Sequence, residues 1–170
     1  MTRNEPVSEL LTTEADVDVI PWADGRSRLS ETRFYWLATT GPGGGPHVRP
    51  VLAVWSDGAL HTTSNPEAAK ARYLGRNPRC AVTARTDGLD LVYEGRATKV
   101  DDEARLQAVA DVYISKYGWP VTVRDGAFEA PYGAPTSGPP PYEVFRIVLD
   151  VAFGFGTDDS LAPRSTRWQF

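Results

Sequence analysis

The stretch ALHTTSNPEAAKARYLGRNPR, residues 59–79, joins a predicted strand to a predicted helix. Residues 59–63 alternate in the manner of a strand. The sequence that follows is typical of a helix start, with Asn65 as the N-cap and Pro66 in the first helical position. The helix is predicted to cover residues 66–76, because an Asn-Pro pair follows it. The chain therefore passes from a sheet directly into a helix N-terminus.

This junction contains the parts of a phosphate site. The hydroxyls of Thr62, Thr63 and Ser64 precede the helix, and Lys70 lies about one turn inside it. The free backbone N–H groups of a helix N-terminus favour an anion. Residues 66–85 also carry five cations against one acid, an excess that attracts anionic small molecules. An ordinary solvated helix face carries similar charge, so the residues alone leave both interpretations open.

The composition is typical of one globular domain, or of one domain with a tail. The 170 residues are 41% hydrophobic and 24% charged, near the averages for soluble domains. A net charge of −4, from 18 basic and 22 acidic residues, argues against a nucleic-acid partner. The single cysteine, Cys80, excludes an internal disulfide and a cysteine-cluster metal site. No membrane span or signal peptide is visible, which predicts a cytoplasmic protein without a membrane partner.

The chain divides into an acidic N-terminal segment, residues 1–27, and a domain over residues 28–170. The first 24 residues hold six acids and one arginine, and we expect a poorly ordered tail or a loosely docked helix. Six antiparallel strands are predicted at residues 35–40, 47–55, 59–63, 79–85, 90–100 and 142–155, the first three as a meander. An amphipathic helix is predicted at residues 101–117, and residues 121–141 are expected to form a surface excursion or a flap. These elements predict a mainly β, α+β fold, a small barrel with flanking helices.

Several motifs together resemble those of the pyridoxamine 5′-phosphate oxidase-like family. They are YWLATT (35–40), GGGPHVRPVLAVW (43–55), LHTTS (60–64), LVYEGRATKV (91–100), KYGWP (116–120), PPPYEVFRI (139–147), GFGTDDS (154–160) and TRWQF (166–170). The resemblance is greatest to the actinobacterial flavin and deazaflavin oxidoreductases, which bind FMN or coenzyme F420. It implies a six-stranded antiparallel split β-barrel with flanking helices, and a homodimer with two cofactor sites at the subunit interface.

The same resemblance implies which residues bind the cofactor. The backbone around Val48, Arg49, Pro50 and Val51 is expected to face the ring system. Thr62, Thr63 and Ser64 are expected to hold ribityl and phosphate oxygens, and Lys70 is expected to pair with the phosphate. Trp168 is expected to approach the ring or to shape its pocket. One departure is that Glu67, Ala68 and Ala69 stand where many relatives have a Gly-Ser pair.

The sequence favours redox chemistry carried by a cofactor. It contains no serine-hydrolase elbow and no carboxylate pair spaced for hydrolysis, and a redox cofactor requires no catalytic side chain. Together with the resemblance, this implies an F420-dependent oxidoreductase that transfers a hydride between the cofactor and a small unsaturated or quinone-like substrate. The basic residues Lys70, Arg72, Arg76 and Arg79 suit the anionic tail of F420.

Two alternatives stay open: an FMN-dependent oxidoreductase, and a barrel that binds a flavin or haem without turnover. Haem requires an axial ligand, and His47 and His61 are the only histidines. Two isolated histidines do not make a metal site, and none is expected.

Overall fold

The computed structural model describes residues 5–13, 16–134 and 137–170, which form strands and three α-helices. The strands are β1 (Val7–Leu10), β2 (Tyr35–Thr40), β3 (Pro46–Val51), β4 (Ala53–Ser56), β5 (Ala59–Ser64), β6 (Arg79–Arg85), β7 (Leu89–Lys99), β8 (Thr122–Arg124), β9 (Ala127–Glu129), β10 (Glu143–Gly156) and β11 (Thr166–Gln169). The helices are α1 (Trp22–Glu31), α2 (Ala69–Arg76) and α3 (Glu103–Tyr117). In the described ranges, no helix is long and apolar enough to cross a bilayer.

The strands close into a split barrel. Their order runs β3-β2-β6-β7-β10, and β10 also pairs with β5, which pairs with β4. All of these pairs are antiparallel. Since β3 and β4 follow one another in the chain, the last strand leads back to the first. Strands β3 and β4 together correspond to the single strand predicted over residues 47–55. Counted in this way, the six predicted strands make the barrel. The predicted fold class is confirmed.

The barrel is split at Leu52, which belongs to neither β3 nor β4. On one side of this residue β3 pairs with β2, and on the other β4 pairs with β5. The predicted continuous meander is therefore wrong in detail, because the second strand changes its partner half-way. The carbonyl of Leu52 accepts hydrogen bonds from Thr62 Oγ1 at 2.9 Å and from the Tyr113 hydroxyl at 3.0 Å. Side chains thus satisfy a backbone group that no neighbouring strand reaches.

The described part of the N-terminal segment packs on the barrel, which corrects the expected tail. Strand β1 pairs with β11, and the side chains of Ile20 and Trp22 are 2% and 7% exposed. These two residues are apolar and join the main core. The free energy gained by burying them holds the segment on the barrel although its neighbouring residues are acidic. The expected boundary between residues 27 and 28 falls within α1. Residues 1–4 and 14–15 of this segment lie outside the described residues.

Residues 121–141 contain a hairpin that the sequence analysis missed. Strands β8 and β9 pair through Asp125 and Gly126, whose positive φ values of 51° and 75° suit a two-residue turn. Phe128 of this hairpin is fully buried in a second core cluster beneath α3. Within the same segment, residues 135–136 lie outside the described residues. The expected excursion is therefore anchored at its start by a packed β-ribbon.

Candidate cofactor site

Helix α2 begins three residues later than predicted, at Ala69. The Asn65 side chain accepts a hydrogen bond from the Glu67 N–H at 2.8 Å, and the Asn65 carbonyl accepts one from the Ala68 N–H at 3.0 Å. Asn65 thus closes a separate turn before the helix instead of capping it. The backbone N–H groups of Ala69 and Lys70 have no hydrogen-bond partner among the described residues. These two donors form the positive end of α2.

A pocket of about 190 Å³ lies at this helix start, and we call it the anion pocket. Its walls come from β3, from the start of α2 and from the loop after β9. The residues that line it are His47, Arg49, Pro50, Ala68, Ala69, Lys70 and Ser137. The structure therefore brings Lys70 together with Arg49 and Pro50, three of the residues singled out in the sequence. Strand β3 is the end strand of its sheet path, as the Pro50 position predicts.

Lys70 is an uncompensated cation in this pocket. Its side chain is half-buried, and in the described ranges its ammonium makes no hydrogen bond and no ion pair. Burial and then the nearby Arg49 guanidinium lower the pKa of Lys70 below its usual value. The Arg49 guanidinium donates to its neighbouring carbonyl, Val48 O, at 2.7 Å, and has no carboxylate partner in the described chain either. Two cations held together without an acid favour the binding of an anion.

His47 also lines the anion pocket. Its ring meets the Tyr73 ring edge-on at 5.1 Å, and its Nδ1 lies 3.3 Å from Thr39 Oγ1. Burial, followed by the charges of Arg49 and Lys70, lowers the pKa of His47 below 6.5, although its own backbone acts in the opposite direction.

A second pocket of about 310 Å³ adjoins the anion pocket and shares Pro50 and Ser137 with it. We call it the apolar pocket. It is lined by the end of β3 and the split, by the start of β2, and by the loop after β9: Arg33, Phe34, Tyr35, Trp36, Pro50, Val51, Leu52, Ala134 and Ser137. The two pockets together offer a cationic end for a phosphate and an apolar, aromatic end for a planar ring system. The residues present fit a flavin-type cofactor.

Three of the hydroxyls predicted at the site behave differently from one another. Thr62 and Ser64 are each 1% exposed, and they donate to Leu52 O at 2.9 Å and to Asn65 O at 3.0 Å. Residues two apart in a strand point to the same face, so Thr62 and Ser64 lie together on a buried face of β5. Thr63 is half-buried. None of the three lines the anion pocket, and their expected contacts with the cofactor stay a prediction.

Trp168 and Arg72 also lie away from the two pockets. Trp168 is fully buried, and its Nε1 donates to Ile20 O at 2.9 Å. A Cβ at Gly25 or Gly154 would lie 3.1 or 2.6 Å from its ring, so both glycines make room for it. This tryptophan is a core residue in the structure, and its expected approach to the ring stays a prediction. Arg72 is exposed, and its guanidinium donates to the carbonyl of Glu67.

The sequence analysis missed residues that reach the site from distant parts of the chain. Asn65 Nδ2 donates to Pro139 O at 2.8 Å, and the Tyr142 hydroxyl donates to Gly138 O at 2.6 Å. These bonds hold the loop that carries Ser137 against the start of α2. An Asn-Pro pair predicts a turn, but nothing local to residues 65 and 139 predicts that they meet.

Comparison with known proteins agrees with this architecture. Residues 23–152 match the family model for pyridoxamine 5′-phosphate oxidase. A comparison with curated proteins gives no match.

Solved structures show the same fold at low sequence identity. A conserved hypothetical protein from Mycobacterium tuberculosis is 22% identical, with 85% of this chain and 89% of that one covered and a TM-score of 0.63. A FAD-binding protein from Mesorhizobium loti is 18% identical, with 97% and 98% covered and a TM-score of 0.57. An F420 reductase is 20% identical, with 75% and 94% covered and a TM-score of 0.52.

Proposed function

The chain belongs to the pyridoxamine 5′-phosphate oxidase family, and on that basis we propose that it is an F420-dependent oxidoreductase. The observation that carries the proposal is the half-buried, uncompensated ammonium of Lys70 beside Arg49. When bound, the deazaflavin supplies the hydride chemistry, between its ring and a small unsaturated or quinone-like substrate. The protein supplies binding, orientation and exclusion of water.

Each part of the site has a separate task in this proposal. Lys70, Arg49 and the free N–H groups of Ala69 and Lys70 hold the phosphate at the positive end of α2. The backbone of residues 50–52 and the apolar pocket orient the ring and keep water from it. No side chain is assigned a proton-transfer step.

The preference for F420 over FMN rests on charge beyond the phosphate. Three exposed arginines follow Lys70 in the chain. Arg72 and Arg76 lie on α2, the helix that carries Lys70, and Arg79 begins β6. They suit the anionic tail that F420 carries and FMN lacks. The FMN alternative needs only the anion pocket. For haem, His61 is fully buried, which leaves His47 as the candidate axial ligand.

Replacing Lys70 with alanine is expected to weaken cofactor binding by roughly 10- to 150-fold, because a charge-assisted contact with the phosphate is lost. Parallel titrations of the cofactor-free protein with F420 and FMN, followed by fluorescence or calorimetry, measure the effect and the preference. Lys99→Ala is the matched control, since Lys99 lies in β7 and pairs with Glu143 at 3.0 Å. Unchanged affinity in Lys70→Ala would show that Lys70 is only a surface charge.

The pH dependence of binding supplies an internal check on the same residue. Since the pKa of Lys70 is lowered, its positive charge is lost at a lower pH than that of an ordinary lysine. Affinity of the wild-type protein should therefore decline on the alkaline side, and Lys70→Arg should remove that decline.

Tighter binding of FMN than of F420 would move the protein to the FMN alternative.

We further propose that the protein is a homodimer in which β3 contributes to the interface. Val48, Arg49 and Pro50 are exposed on this end strand, and Val48 is 44% exposed. An exposed apolar residue on an unpaired strand edge is typical of a surface that a partner covers. We expect Val48→Glu to shift the protein from dimer to monomer in sedimentation equilibrium. Ile114→Glu is the control, because Ile114 is 42% exposed but lies on helix α3 and not on a strand edge. A wild-type monomer would refute the proposal.

A further inference from the structure

An open groove of about 760 Å³ adjoins the apolar pocket on the side of β2, and no step above uses it. The groove and the apolar pocket share Arg33, Phe34 and Trp36, whereas the groove and the anion pocket share no lining residue. The apolar pocket therefore borders both of the others. Arg28 and Arg85 line the remaining wall of the groove.

The groove carries positive charge that its own acids do not neutralise. Three arginines line it, against the two carboxylates of Glu31 and Asp87. Glu31 accepts a hydrogen bond from Ser27 Oγ at 2.7 Å, and Arg28 donates to the Asp87 carbonyl rather than to its carboxylate. The Arg85 guanidinium makes no hydrogen bond or ion pair with any residue in the described ranges. It is the charge in this groove that is open to a ligand.

Two large aromatic side chains stand exposed beside this charge. Phe34 is 74% exposed, and Trp36, two residues later, is 50% exposed. Residues two apart on an extended chain point to the same side, so the two rings present one apolar face. Aromatic faces stack on planar ligands, and a nearby guanidinium selects those that carry an anion.

We propose that this groove binds a planar carboxylate, an aromatic or conjugated acid, as the substrate of the oxidoreductase. Its ring lies on Phe34 and Trp36, and its carboxylate pairs with Arg85. The role as substrate rests on the proposed function, because the groove meets the apolar pocket at the side away from the anion pocket. The phosphate and the anionic tail of the cofactor occupy the α2 side, which leaves the groove to the molecule that approaches the ring.

Calorimetric titration with 2-naphthoate and with its neutral counterpart 2-naphthamide tests the proposal. We expect 2-naphthoate to bind the wild-type protein about tenfold or more tightly than 2-naphthamide does, and Arg85→Gln to remove that difference. Arg26→Gln is the matched control, because Arg26 is an exposed arginine of α1 that does not line the groove. Phe34→Leu should weaken both ligands several-fold, since each loses the same stacking face.

The titration also separates this inference from the proposed function. Lys70→Ala is expected to keep its affinity for 2-naphthoate while it loses affinity for the cofactor, so the two readouts fail independently. Equal binding of the two probes, or unchanged 2-naphthoate binding in Arg85→Gln, would overturn the proposal. A wild-type protein that binds neither probe would also overturn it. If Arg85→Glu then alters the oligomeric state, a second copy of the chain fills the groove instead.

Discussion

Replacement of Trp168 by alanine is expected to lower the free energy of unfolding by about 3–5 kcal/mol, the usual cost of removing a fully buried tryptophan. The side chain is 0% exposed and packs edge-on against Trp22 with ring centroids 5.5 Å apart. Its hydrogen bond to Ile20 O ties β11 to the chain before α1. The alanine variant loses this packing and leaves a buried carbonyl without its donor. Urea unfolding measures the loss.

Two further variants distinguish a core residue from a cofactor contact. Phe170→Ala is the control for truncation on the same strand end, because Phe170 also meets Trp22, at 4.8 Å, but is 44% exposed. Its expected cost is about 1 kcal/mol. Trp168→Phe should fold and bind the cofactor as the wild type does. A large drop in cofactor affinity in Trp168→Phe, with little change in stability, would support the expected contact of Trp168 with the ring.

Acidification is expected to destabilise the protein through His61 by about 2 kcal/mol at pH 5 and about 3 kcal/mol at pH 4. This histidine is fully buried, and neither ring nitrogen has a hydrogen-bond partner among the described residues. Burial first, and then the Arg146 charge on β10, lower the pKa of His61 to about 4. Arg105 of α3 acts in the same direction, whereas Asp57 and the Ala59 backbone oppose it.

The sign follows from the two protonation states. Above pH 6.5 the imidazole is neutral in the folded and unfolded chains, and the full stability is present. As the pH falls toward 4, the unfolded chain binds a proton that the folded chain does not, so unfolding becomes easier. Urea midpoints at pH 7.5, 5 and 4 measure this loss.

A histidine that cannot titrate gives the matched comparison. In His61→Leu, the loss of stability between pH 7.5 and pH 4 should be smaller than in the wild type, by about 2 kcal/mol at pH 5 and about 3 kcal/mol at pH 4. His47→Leu, at a more exposed histidine, should change this acid-induced loss less. If His61→Leu loses as much stability on acidification as the wild type does, the assignment of this pKa shift to His61 is wrong.

Most of the barrel could be predicted from local patterns. Alternation along the strands, the Asp57-Gly58 turn and the Asp102 cap of α3, which accepts from the Arg105 N–H at 2.7 Å, are encoded within a few residues. The β8–β9 hairpin carried the same kind of signal in Asp125-Gly126, but the surrounding prolines and glycines outweighed it. The change of partner at Leu52 has no local signal, because it depends on which strands close the barrel.

The candidate site was predictable only at its charged end. A lysine after an Asn-Pro turn pointed to α2, and the resemblance added the strand that carries Arg49. Burial decides the rest, and burial is a property of the closed barrel. Thr62 and Ser64 have the right chemistry, but their side chains lie on a buried face of β5. Asn65 and Ser137 reach the site through contacts between residues far apart in the chain.

The break at Leu52 makes this position a natural starting point for redesigning which molecules the protein accepts. Its side chain lines the apolar pocket, yet the residue belongs to no strand. Its carbonyl is held by Thr62 and Tyr113, and these bonds do not depend on the side chain at position 52. Smaller or larger apolar residues there would reshape the pocket while every cross-strand pair stays in place. Because Leu52 also packs against the second core cluster, the stability of each variant in a library at this codon has to be measured beside its ligand range.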